Sequence, residues 1–170
     1  METVIPAIIV ITLLLLATFV ISEQSLAAQE AVSESWQEMQ ERVEERTRTA
    51  LSPVEAETRE AGAKVEITLQ NDGDTKLADF DQWDVILQYN NGNVQWYPFS
   101  TQEASGKWTV VGIYLDASEV SGEVYDPGIL NPGEEILLRV LVSPSVGSPT
   151  TNLATIATPN GITASTVFTR

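Results

Sequence analysis

The chain has 170 residues, with 24 acids against 9 bases, a formal charge of −15, and neither histidine nor cysteine. That balance argues against nucleic acid and anionic lipid headgroups as partners. The missing side chains exclude disulfides, thiol chemistry, the usual zinc sites and a histidine general base, and the length allows one globular domain with an accessory element.

From Thr3 to Ser22 the sequence reads TVIPAIIVITLLLLATFVIS, with no charge. At about 1.5 Å per residue, ~20 helical residues span roughly 30 Å, the thickness of a bilayer's hydrocarbon core. Apolar residues fall on every side, so such a helix must be surrounded by lipid or by other helices like itself. Pro6 lies in the first turn, where its missing N–H has no helical partner. A cleaved secretory signal fits poorly: Met1-Glu2 gives no basic front, the run is long, and Ala27-Ala28 after Glu23 is a poor cleavage site. A permanent membrane anchor and a filament-core helix remain. The lack of a basic residue before Thr3 agrees with a mature chain whose basic leader has been removed, and equally with an unprocessed anchor. The nearest basic residue downstream is Arg42, which leaves the positive-inside rule almost nothing to act on.

The helix is expected to continue. Glu23 to Ala50 holds no Gly or Pro and is rich in Ala, Glu, Gln and Arg. Val32, Trp36, Met39 and Val43 follow one another at heptad spacing and predict an apolar seam with a solvated acidic back. Glu38 with Arg42, and Glu44 with Arg48, stand at i, i+4 in the favourable order; Glu41 with Glu45 opposes them. Leu51-Ser52-Pro53 should end or kink the helix, and a short helical piece from Val54 to Ala61 is expected before Gly62.

After Gly62 the pattern changes to alternation. KVEITLQ, from Lys64 to Gln70, places Val65, Ile67 and Leu69 on one face. Asn71-Asp72-Gly73-Asp74 is a turn signal. Asp84–Tyr89 is a strand, Asn90-Asn91-Gly92-Asn93 a hairpin turn, and Val94–Phe99 the answering strand. Trp108–Asp116, Glu135–Ser143, Asn152–Thr158 and Ile162–Phe168 complete a set of seven, the last two separated by Pro159-Asn160-Gly161. Short strands at such intervals predict a β-sandwich or small barrel.

The densest carboxylate cluster is Asp72, Asp74, Asp79, Asp81 and Asp84. Alternating Asp with a Gly has the flavour of a calcium loop, but the twelfth residue from Asp72 is Trp83 rather than a closing Glu. Solvated turn acids are the first reading, and an oxygen-ligand cation site is the alternative. No Ser has a visible base, and a sandwich of this size leaves little room for the cleft that paired acids would need. The expected reading is therefore no enzyme and no cofactor. Trp83, Trp96, Tyr97, Phe99, Trp108 and Tyr114 lie in or beside strands; most are expected in the core, and the others would mark a contact patch.

These segments resemble a known family. An uncharged N-terminal helix running into a β-sandwich head is the plan of archaellins, the subunits of the archaeal swimming filament. VEITLQNDGDTKLADFDQWDVILQY is similar to the archaellin-type first hairpin: a strand, Asn-x-Gly-x-Thr, a Leu, a polar link, then a strand opening on Asp-Val. LNPGEEILLRVLV is similar to the family's Pro-Gly turn and following strand, and TPNGITAS resembles an ending shared with the related stator proteins that anchor the filament. The stalk from Glu30 to Arg48 is more charged than a typical archaellin helix, and the glycosylation sequons common in archaellins are absent. Type IV pilins typically carry glutamate at the fifth mature position; Ile5 stands there if Met1 is the mature start, which ranks a pilin-like adhesion filament lower.

The fold expected is α+β: a hydrophobic and amphipathic N-terminal helix over residues 1–62, then an all-β, Ig-like or archaellin-type sandwich over 63–170. The function that the resemblance implies is a structural subunit of an archaellum-like extracellular filament for motility. Its alternative is a membrane-anchored, stator-like binding module. Partners would be identical subunits in a helical homopolymer and the membrane before assembly, with no nucleic acid and no small-molecule substrate. Self-assembly is expected through Val4, Ile5, Ile8, Ile9, Ile11, Leu13, Leu14, Leu15, Leu16, Phe19 and Val20, together with the seam Val32, Trp36, Met39 and Val43.

Overall fold

The computed structural model describes residues 4–90, 92–123 and 126–170, with helix side chains from Ile8 onward. The chain divides into two compact units, Met1–Val43 and Glu44–Arg170. Helix α1 runs over Val4–Arg48, 45 residues or about 67 Å at 1.5 Å each. Its length follows from the absence of Gly and of any Pro beyond Pro6. The side chains of Val4 and Ile5 lie outside the described residues.

The second unit is a two-sheet antiparallel sandwich. Its strands are β1 Leu51–Arg59, β2 Lys64–Asn71, β3 Asp84–Tyr89, β4 Asn93–Tyr97, β5 Trp108–Asp116, β6 Ser121–Gly122, β7 Glu135–Leu141, β8 Thr151–Ala157 and β9 Thr163–Thr169. One sheet has the order β1-β2-β7-β5-β6, the other β4-β3-β8-β9. Strict alternation decides which side of each strand is buried. Val65, Ile67 and Leu69 of β2 face Ile136, Leu138 and Val140 of β7 in register, and all six are fully buried. Val85 and Leu87 of β3, Ala154 and Ile156 of β8, and Phe168 of β9 close over them from the other sheet.

Three expectations change. The segment expected as a short helix over Val54–Ala61 is mostly strand: β1 pairs with β2 from Leu51↔Asn71 to Arg59↔Lys64. Pro53 is tolerated because β1 is an edge strand and its register shifts between Pro53 and Glu55. Since β1 belongs to the sheet, the compact unit that holds the head begins at Glu44, upstream of the expected division at 62/63. Lastly, the stretch read as a first hairpin bridges the two sheets, because β2 lies in one and β3 in the other. The hairpin β3–β4 and the pair β8–β9 form as expected.

The aromatic residues divide as the alternation requires. Trp83, Tyr97 and Trp108 are buried, Phe99 packs against the core with its ring edge-on to Trp108 at 4.9 Å, and Trp96 is 55% exposed. Tyr89, which the sequence reading passed over, is also buried; it accepts a hydrogen bond from the Tyr97 hydroxyl at 3.0 Å.

Candidate assembly surface and helix socket

Every large apolar side chain from Ile8 to Ile21 is exposed, between 42% for Val20 and 66% for Leu15. This surface includes Ile8, Ile9, Ile11, Leu13, Leu14, Leu15, Leu16 and Phe19 of the expected assembly set. Two hydroxyls interrupt it, and both are satisfied within the helix. Thr12 Oγ1 donates to Ile8 O at 2.9 Å, and Thr18 Oγ1 lies 3.0 and 2.9 Å from Leu14 O and Leu15 O. Neither therefore carries an unmet polar group into apolar surroundings. Among the described residues this is one helix long and apolar enough to cross a membrane. Further along, Val32, Trp36, Met39 and Val43 are all more than half exposed, so the heptad seam also faces outward from the lone chain. Glu44 and Arg48 form the expected i, i+4 pair at 4.0 Å, exposed and therefore weak.

At the helix exit, the second unit builds a socket around residues 45–50. A helix end leaves carbonyls without intrahelical partners. Here the Asn71–Thr75 turn supplies donors: Asp74 N–H to Arg48 O at 2.8 Å and Asp72 N–H to Ala50 O at 3.1 Å. Gly73 is required by the closeness of this approach. A Cβ there would lie 2.5 Å from both Ala50 N and Arg48 O. Asn71 shapes the turn, accepting from Gly73 N–H at 3.1 Å and donating to Thr75 O at 2.8 Å. Thr49, 5% exposed, is the centre of the socket: its hydroxyl donates to Glu45 O at 2.8 Å and accepts from Asn160 Nδ2 at 2.9 Å. Having spent its one proton on Glu45, Thr49 accepts from the Thr75 hydroxyl at 2.7 Å. Sequence reasoning missed Thr49 and Thr75, because their role depends on contacts remote in sequence.

The aspartate cluster resolves into separate tasks. The backbones of Asp72 and Asp74 serve the socket, and Asp79, at a positive φ of 51°, opens a 3₁₀ turn over Phe80–Gln82 that contains Asp81. Asp84 Oδ1 accepts from Trp96 Nε1 at 2.8 Å. Among the described residues no group of three or more acidic side chains gathers where a metal ion could be held.

The outer face of the five-stranded sheet carries an ion-pair network. Glu66 lies 2.5 Å from Arg139 and 3.3 Å from Arg59; Glu103 pairs with Arg139 and, at 3.2 Å, with Lys64. Hydrogen bonds from Arg139 and then Lys64 hold the Glu103 carboxyl below its ordinary range, and those that Lys64 donates to Glu60 and then Glu103 hold its ammonium above its own. Burial first, and the hydrogen bond to Tyr89 second, push the Tyr97 phenol far above its ordinary value. The four charged groups Glu66, Arg139, Glu103 and Lys64 are thus partners of one another, and Tyr97 is the partner of Tyr89.

No protein-family model matches the chain, and no curated protein does. Solved structures do match. The archaellum periplasmic stator protein FlaG from Sulfolobus acidocaldarius is 23% identical with a TM-score of 0.55, over 71% of this chain and 99% of that one. A chain of the stator complex of FlaF and FlaG from the same organism is 24% identical with a TM-score of 0.54, over 69% and 87%. A chain of the archaeal flagellum of Methanospirillum hungatei is 14% identical with a TM-score of 0.64, over 97% of this chain and 92% of that one. Coverage of 97% takes in the N-terminal helix as well as the head. The chain therefore has a fold shared with archaellum proteins, an apolar N-terminal helix followed by a two-sheet antiparallel head.

Proposed function

We propose that this chain is a structural subunit of an archaellum-like extracellular filament, inserted in a membrane before assembly and polymerising with identical copies through α1. The observation that carries this reading is the all-round apolar surface of α1 from Ile8 to Ile21. Outside lipid, only other helices of the same kind cover such a surface. Burying each side chain is worth roughly 1.5–3 kcal/mol before ordering costs, so a polymer extruded from the membrane does not dissolve into water. The fold shared with the flagellum chain over nearly the whole length supports it. The heptad seam extends the packing beyond the membrane thickness, which a plain anchor does not need. The charged pairs of the head have structural roles, which supports a non-enzymatic reading.

A second reading is an anchored head of the stator kind. It is favoured by the higher identity to the stator protein, 23% against 14% to the flagellum chain. Shearing cells and locating the chain separates the two. The filament reading expects the chain in the sheared fraction, with filaments visible by electron microscopy. It also expects Trp36→Glu to remove the chain from that fraction while the head keeps its melting temperature. A wild-type chain confined to membranes supports the stator reading.

A further inference from the structure

The two outer faces of the head differ in charge. Outward positions of the five-stranded sheet hold Glu66, Arg139 and Arg59, which Glu103 of the β4–β5 loop joins in one network. Outward positions of the four-stranded sheet hold Ile86, Val94, Trp96, Leu153 and Val167 among hydroxyl and amide side chains. Asp84 is the one ionisable group at those positions, and it is tied to the Trp96 indole at 2.8 Å. The register lines the apolar groups up. Val94 stands opposite Gln88, Gln88 opposite Leu153, and Leu153 opposite Val167, one row running straight across four strands. Ile86 stands opposite Trp96 in the next row. Val94, Trp96 and Val167 are all more than half exposed.

We propose that this face is the head's contact with a second copy of the chain, a proposal that rests on the filament reading. Charge selects the occupant. Copies that each carry −15 repel wherever acids meet, and the four-stranded face is where a copy approaches at least electrostatic cost. Size agrees. Four strands ~4.8 Å apart and about 20 Å long present roughly 400 Å² in projection, about half of the ~800 Å² per partner in a stable complex. Such a face does not hold two free heads together. It suffices where another element already keeps the copies at high effective concentration, and α1 is that element. Trp96, a rigid aromatic surrounded by apolar neighbours and short polar side chains, is the anchor expected of such a contact.

The test is site-specific photo-crosslinking in the full chain. Val167→p-benzoylphenylalanine is compared with Val120→p-benzoylphenylalanine, since Val120 is 72% exposed and lies outside this face. Irradiating the sheared fraction is expected to give a product of twice the chain's mass from the Val167 variant, at about 10-fold the yield of the Val120 variant. Filaments that form without this excess, or a Val167 adduct with a protein of different mass, overturn the face and leave the filament reading standing. A chain found only in membranes, with no product of doubled mass, overturns both.

Discussion

Asn160 Nδ2 donates to Thr49 Oγ1 at 2.9 Å, joining two residues 111 apart in sequence. Through this bond the Thr158–Gly161 turn, between β8 and β9, meets the exit of α1. The Asn71–Thr75 turn reaches the same point from β2, through the Thr75 hydroxyl. Two of the short motifs that carried the family resemblance thus converge on one threonine. Their residue types are set by a common task, which is to satisfy a helix end and start a sheet within three residues of it.

Gly73→Ala tests the socket. The added methyl meets backbone on both sides at 2.5 Å, so the turn must move and its bonds to Arg48 O and Ala50 O lengthen. A loss of about 2 kcal/mol is expected, in the range for overpacked sites. It reads as a drop of several degrees in the melting temperature of a Glu44–Arg170 fragment, the compact unit that retains β1. An unchanged melting temperature contradicts the close approach.

How much of this was legible beforehand follows local signal strength. β3 and β5 match their expected bounds, Asp84–Tyr89 and Trp108–Asp116, because apolar alternation and flanking turn residues agree there. The helix was legible because its residues agree in propensity from Glu23 onward. β1 was not: Pro53 and the helix formers Glu55, Ala56, Glu57 and Arg59 point away from a strand, and only pairing with β2 overrides them. β6 is two residues long and offers no period to read. Asp72 and Asp74 lie in the turn signalled by Asn71-Asp72-Gly73-Asp74, but which backbone that turn serves depends on the helix exit folding against it.

The ion-pair network predicts a pH dependence. The Glu103 carboxyl is held below its ordinary 4.5 in the folded head. A carboxyl depressed on folding stabilises fully above its unfolded value, and that contribution fades as the pH falls through the folded one. Glu103→Gln is therefore expected to melt a few degrees below wild type at about pH 6 and to converge on it as the pH falls below 4.5 through the depressed folded value. The effect is small because the pair is part-exposed. A constant gap between the two curves contradicts the pairing.

The separate placement of the five aspartates predicts indifference to calcium. Treating the head with a chelator is expected to leave its melting temperature within about 1 °C. A ligand present at 100 times its Kd would add about 2.7 kcal/mol to a site it occupies. A drop of many degrees, restored by calcium, would therefore reinstate the cation site.

Leu14→Lys probes the proposed burial of α1, from Ile8 to Ile21, among identical helices. Leu14 is 60% exposed in the lone chain, at the middle of the apolar stretch. An unpaired ammonium buried there costs several kcal/mol and recurs in every subunit. The measurement is the amount of chain in the sheared filament fraction, relative to wild type, from cells in which both are expressed equally. At least a 10-fold loss of Leu14→Lys from that fraction is expected while the head remains folded. Wild-type amounts of filament from Leu14→Lys would contradict that burial.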